Sequence, residues 1–451
     1  MTTRDRKTGR KRLGSNIAFS FALLSSAALV ATAIAEPAQA QRKKRGEDKD
    51  EAPAKDYTPE FIEAYSAANA MLTAEIPNPD GAAASIPGIV AQAKTGDDKI
   101  AAGGLIFNVG QALDNLSLQR QGFELMIESG KVPADKYGQY LVNSGDLARQ
   151  EGDMEFARKR FMEAHAAGYT RDDLPSIIAG TYFDEDLYVE GVNYLRGMID
   201  AQIAAGQKPN SLWIDVAFGV AYNNDLAREA ITLAAMAVKY EPSERNWRNA
   251  ISVQRNLIDM KNDVQLDLLR LADRTDTMGE GRDYADYIEA ANPVRLPAEV
   301  DRLLKEALAK NLLESDDPFV VDAQEQVNEN LAADRAELPN HRRDATQPNA
   351  NAVIATAAGN VFLGHGDAAS AEEMYAIALT KAGANANLIN TRMGIAQVDQ
   401  GKFAAAQETF GKVGGERSAV AALWQAYAAN QAPAAAPTIE PAAAPIAEST
   451  T

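Results

Sequence analysis

The stretch that most constrains this chain is a short pattern written twice near its C-terminal end. Gly359, Phe362, Gly366, Ala371, Tyr375 and Ala378 return thirty-five residues later, at identical offsets, as Gly394, Gln397, Gly401, Ala406, Phe410 and Val413. Counted from the first Gly, the last three positions are four and then three residues apart, so they share one face of a helix. The Gly at +7 falls between two helices, where a turn needs a residue without a Cβ. Each copy reads as a helical hairpin whose small positions admit the ring at +16.

The same frame fits Gly145, Ala148, Gly152, Ala157, Phe161 and Ala164. Two more units read in a shortened frame, as Gly180, Phe183, Gly191, Leu195 and Met198, and as Gly219, Tyr222, Ala230, Ala234 and Ala237. In both, the positions after the turn move forward by one, the turn Gly is absent, and Asp186-Leu187 or Asp225-Leu226 stands there, with Asp expected to cap the second helix. Trp247, Ala250 and Gln254 open a sixth, degraded unit that runs to about residue 272. A period near 34 residues with this small/aromatic signature resembles the tetratricopeptide family. The resemblance implies an all-α fold, an α-solenoid of stacked helical hairpins forming a right-handed superhelix, because a lone hairpin cannot bury its apolar face.

Along the chain, residues 1–40 read as a secretory signal: a basic start, an uncharged apolar run over residues 17–35 and the small-residue site Ala38-Gln39-Ala40. That run is also long enough to be an uncleaved anchor. Export to a bacterial periplasm is the expectation, with membrane contact only if the signal is retained. Residues 41–56 form a charged leader and residues 57–272 an N-terminal helical array. Thr58-Pro59 begins the array's first helix, with Phe61, Ala64, Tyr65 and Ala68 on one face. Residues 77–81 read as a loop, and a hairpin whose register the sequence does not define follows, from Ile86 through the Gly103-Gly104 pair to Phe123 and Met126. Residues 273–345 keep helical periodicity without the signature, divided by Pro293, Pro297, Pro318, Pro339 and Pro348. They read as divergent hairpins within one solenoid or as a break between two arrays. Residues 346–430 hold the C-terminal pair and a capping helix from Arg417, and residues 431–451 an Ala/Pro tail.

The formal charge is -18, and an acidic surface of that size argues against nucleic acid as a partner. The absence of cysteine excludes disulfides, thiolate metal sites and a Cys nucleophile. His165, His341 and His365 lie in different segments, none paired at metal-ligand spacing on one helix. No phosphate-cradling loop, nucleophile elbow or Ser-x-x-Lys pair is present. The sequence therefore points to no catalytic residue, metal or cofactor.

The resemblance implies that partners bind the concave groove lined by the first helix of each hairpin, at -6, -3, +1, +4 and +5 from the Gly. In the N-terminal half that groove receives Asp146, Arg149, Trp213, Asn223 and Asn224, a polar lining suited to an extended peptide. In the C-terminal half it receives Asn360, Leu363, Leu388, Ile395 and Val398, an apolar lining suited to an amphipathic helix unless other helices of the chain cover it. The expected function is a noncatalytic scaffold of the cell envelope that binds protein or peptide segments. The alternatives are an envelope hydrolase, or a solenoid subunit of one, and a membrane-anchored adaptor of an export or polysaccharide-secretion machine.

Overall fold

A computed structural model describes residues 55–432, and these form helices and turns with no strand among them. The expected signal and nearly all of the charged leader and Ala/Pro tail lie outside the described residues. The chain divides into two compact units between Tyr169 and Thr170, inside the stretch read as one N-terminal array. The first holds α1 (Pro59–Thr73), α2 (Pro79–Gln92), α3 (Gly96–Ala112), α4 (Leu116–Glu128), α5 (Ala134–Glu151) and α6 (Met154–Ala166). The second opens with α7 (Leu174–Phe183), α8 (Tyr188–Ala204), α9 (Ser211–Asn223), α10 (Ala227–Tyr240), α11 (Glu244–Leu257), α12 (Asn262–Arg274) and α13 (Gly281–Ala291). It continues with α14 (Pro297–Ala309), α15 (Pro318–Thr346), α16 (Ala352–Gly364), α17 (Ala368–Leu379), α18 (Ala386–Asp399), α19 (Phe403–Phe410) and α20 (Ser418–Gln431).

In the first unit, Thr58 and Pro59 start α1 as expected, and Phe61 and Ala68 are fully buried. The buried Asp98 carboxylate fixes that start, accepting from the Thr58 N–H (3.0 Å) and hydroxyl (3.1 Å) and from the N–H groups of Lys94 and Thr95. Two local expectations are corrected. Residues 79–81 are already helical, because Asn78 caps α2 by accepting from Gly81 N at 2.9 Å and Pro79 suits the first turn. Gly103 lies inside α3, and the hairpin turns instead at Asp114, whose φ is 49°. A Cβ at Gly103 would lie 2.6 Å from the carbonyl oxygen of Gly122, so glycine here lets two helix backbones touch.

The repeat signature has a direct structural cause. A Cβ at Gly145, Gly359 or Gly394 would lie 2.5–2.6 Å from the ring of Phe161, Tyr375 or Phe410, the aromatic sixteen positions on. Gly152, Gly366 and Gly401 take φ of 86°, 76° and 71° in the turns between the paired helices. Asp186 and Asp225 take φ of 59° and 57° in the corresponding turns. Asp therefore supplies the left-handed turn residue, which it tolerates better than most side chains, and is not the helix cap. Aligned on these turn residues, the shortened frame disappears. Ala179 and Phe218 stand where Gly145, Gly359 and Gly394 stand, Gly180 and Gly219 are the next position along, and no residue is deleted.

Residues 273–345 continue the packing: α12 through α16 contact one another in succession, and one hydrophobic core runs from Ala179 to Ala428. Pro297 and Pro318 open helices as expected, but Pro339 interrupts nothing and lies within the 29-residue α15. The second unit then returns on itself. The last helix, α20, packs against α10, α11 and α12 as well as α19. Trp424 Nε1 donates to the carbonyl of Asp267 at 2.8 Å, Tyr427 Oη to that of Arg274 at 3.2 Å and Asn430 Nδ2 to that of Val238 at 2.8 Å. The expected terminal cap is thus a closing helix, and the helices at the far end of this unit's sequence seal those near its start.

Candidate functional site

Two helix faces in the second unit share the repeat position read from sequence as a groove, and they differ in what covers them. The first belongs to α18. Arg392, Ile395 and Asp399 lie along one stripe of this helix, and α12 lies against it. Arg392 Nε donates to Asp267 Oδ1 at 3.1 Å, and Arg274 Nε and Nη2 grip the Asp399 carboxylate at 2.9 Å each. Ile395, between these two clasps, has no exposed surface, and Leu363 and Val398 are also buried in the common core. The expected apolar C-terminal groove is therefore no open surface, because the chain's own helices fill it. Leu388 and Asn360, at its margin, are half-buried, and Val353, which the same groove positions include at the start of α16, is exposed.

At the centre of that contact is a buried cluster of charges. Asp267, itself fully buried, accepts from Arg270 Nη1 (3.1 Å), from Arg392 and from Arg417 Nη1. Arg270 also forms a two-pronged bond to Glu299 at 2.8 and 2.7 Å, and Tyr287 Oη donates to the same carboxylate at 2.7 Å. Burial by itself pushes the Glu299 carboxyl up, but the Arg270 charge and the Arg270 and Tyr287 hydrogen bonds together hold it down at about 2. Each charge in the cluster has a partner of opposite sign. Burying it any other way would be costly. Asn360 serves here too: its Oδ1 accepts from Tyr375 Oη and Arg392 Nη1, both at 2.9 Å, so this expected groove residue faces inward.

The second face lies between α9 and α11, and it is open. Two cross-helix bonds bracket it: Arg245 Nη2 to Asp215 Oδ2 at 2.7 Å, and Asn256 Nδ2 to Tyr222 Oη at 2.9 Å. Between them, Gly219 forms a floor, since a Cβ built there meets no atom within 4 Å. The side chains of Arg245 and Arg248 are 64% and 55% exposed, and Asn223 is exposed beside them at the end of α9. Leu212, at the start of α9, is exposed as well. Arg248 pairs with Glu244 on its own helix, and Arg255 with Asp283 (2.7 Å) and Asp286.

The remaining expected residues are scattered. Asp146 and Arg149 lie half-buried on α5 in the first unit. Trp213 is buried, with Nε1 donating to the Asp172 carbonyl at 3.1 Å, so it packs inside the fold and is not presented to a ligand. Asn224 caps the C-terminal end of α9 through Nδ2 to Val220 O at 2.8 Å. Of the ten residues, Asn223 alone falls on the open α9–α11 face. Gly219 and Tyr222 escape the sequence reading because Gly219 stands one place out of frame, and Arg245, Arg248 and Asn256 because they lie on the degraded sixth unit, whose groove positions the signature does not define. Counting back from the turn residue Asp225 instead of forward from a Gly places Gly219 and Tyr222 at groove positions.

His165 is exposed, while His365 Nε2 lies 2.7 Å from Asp334 Oδ2, a pairing between α15 and the end of α16. Among the described residues, no group of three or more His, Asp or Glu side chains is placed to hold a metal ion, and no helix is long and apolar enough to cross a membrane. No protein-family model matches the chain, and no curated protein matches it.

Proposed function

We propose that this protein is a noncatalytic interaction scaffold of tetratricopeptide-like type, exported to the cell envelope, that binds a segment of a partner protein along the α9–α11 face. The observation that carries this reading is an open strip with a backbone floor at Gly219, exposed cations and amides along its edges, and a core behind it that does not depend on it. Extended peptides are bound by such faces through their backbone polar groups, and a position without a side chain lets that backbone approach closely. The buried charge cluster supports the same reading from the other side: its carboxylates and guanidinium groups are consumed in holding helices together.

A photo-crosslinking residue at Asn223, compared with one at Met162 on the first unit, tests the proposal in the native envelope. The expected result is a discrete crosslinked partner from position 223 that position 162 does not give. Equal capture at both positions, or turnover of peptidoglycan by the purified chain, would overturn it.

A further inference from the structure

We infer that the segment bound on the α9–α11 face is acidic and extended; this inference rests on the scaffold reading and names the chemistry of its partner. The starting observation is a local balance of charge within an acidic unit. Residues 170–432 contain 24 Lys and Arg against 39 Asp and Glu, yet on this face Arg245 and Arg248 stand against Asp215 and Glu244, one cation to each carboxylate, while Arg255 is committed to Asp283 and Asp286. Arg245, Arg248, Ser252 and Asn256 recur at spacings of three or four along α11, which places them on one stripe. The bonds from Arg245 to Asp215 and from Asn256 to Tyr222 aim that stripe at α9.

The two outer arginines are held only by exposed carboxylates, and solvent-exposed pairs of this kind contribute little. A carboxylate on an incoming chain can take the place of Asp215 or Glu244 at small cost and gains a charge-assisted bond. The overall excess of carboxylates in this unit disfavours loose, nonspecific binding of such a chain. Gly219 adds the second requirement. A peptide lying between Asn223 and Arg248 passes over bare helix backbone, which admits an extended strand. The amides of Asn223 and Asn256, on either side, suit its main-chain N–H and C=O groups.

The test uses the full chain and three fluorescein-labelled twelve-residue peptides in which Ala alternates with Glu, Gln or Lys. The Glu peptide is expected to bind about tenfold or more tightly than the Gln peptide, to weaken as salt rises, and to lose that advantage in the double variant Arg245→Glu, Arg248→Glu. Gly219→Glu, whose Cβ meets no atom within 4 Å, fills the floor and is expected to abolish binding with helicity unchanged. Lys159→Glu, on the first unit, is expected to change nothing. Equal binding of the Glu and Gln peptides overturns the inference, as does undiminished binding by the double variant or by Gly219→Glu, or a similar loss in Lys159→Glu. If Asn223 crosslinks a discrete partner while the Glu peptide binds no better than the Gln peptide, the acidic partner is ruled out and the scaffold reading stands.

Discussion

The α18 face and the α9–α11 face occupy the same place in the repeat, yet one is sealed and the other open. On α18 the two ends of the stripe are charged, Arg392 and Asp399, and each finds its opposite on α12, so the apolar Ile395 between them is shut in by its own chain. On α9 the stripe has Gly219 in the middle, and among the described residues no atom lies within 4 Å of a Cβ built there. The difference teaches that a repeat position describes which way a side chain faces, whereas the long-range return of the chain decides whether that face is a surface. A groove in a solenoid is available only where the array has not closed over it.

The comparison can be broken hardest at the sealed face. Asp267→Leu removes the carboxylate shared by Arg270, Arg392 and Arg417, and leaving buried charges without their partner is expected to cost about 3–5 kcal/mol, measured by urea unfolding. Acid should act on the same region. The carboxyl of Glu299 falls from 4.5 to about 2 on folding, so its contribution is complete above about 4.5 and is lost as the pH falls through about 2. Glu299→Gln is expected to lower stability at neutral pH and to flatten this acid limb. A variant with the wild-type pH profile would contradict the assignment.

Glycine substitutions sharpen the contrast at smaller scale, because the same change should have opposite signs at the two kinds of site. Gly359→Ala or Gly394→Ala drives a methyl into the Tyr375 or Phe410 ring and is expected to cost about 1–3 kcal/mol. Gly219→Ala meets open space within a helix and is expected to gain up to about 1 kcal/mol from helix propensity alone. At the turns, Asp225→Gly relieves a left-handed residue that carries a Cβ, and the expected change is a gain below about 1 kcal/mol. Thermal unfolding of the three variants side by side checks both sign and order.

Much of the fold was legible in the sequence, since a Gly paired with a ring sixteen positions later reports a helix contact that can be closed in only one way. Thr58-Pro59, the helix after Arg417 and the unit opened by Trp247 were readable for the same reason: each signal is local. The one-residue frame shift at Gly180 and Gly219 was an error of a different kind. Gly180 and Gly219 invite alignment on the packing position that Ala179 and Phe218 hold, and the Asp in each turn reads as a helix cap because nothing in the sequence marks it as the residue that takes the conformation usually given to Gly. That other helices of the chain could cover the C-terminal face is an alternative the sequence leaves open, but which residues close the second unit is not legible in it. The partners of Asp267 come from Arg392 and Arg417, more than a hundred residues away, and no spacing rule within a helix foretells a bond of that range.

The most direct measurement uses the absence of cysteine from the chain. Two single variants, Gly219→Cys and Ile395→Cys, are exposed to a thiol reagent under native conditions and their labelling rates compared with those in urea. Gly219→Cys is expected to react within about tenfold of its unfolded rate, and Ile395→Cys more slowly than its unfolded rate by about a thousandfold or more, because labelling there requires the closed unit to open. Comparable native rates at the two positions would contradict the central claim that one face is sealed by the chain and the other left open.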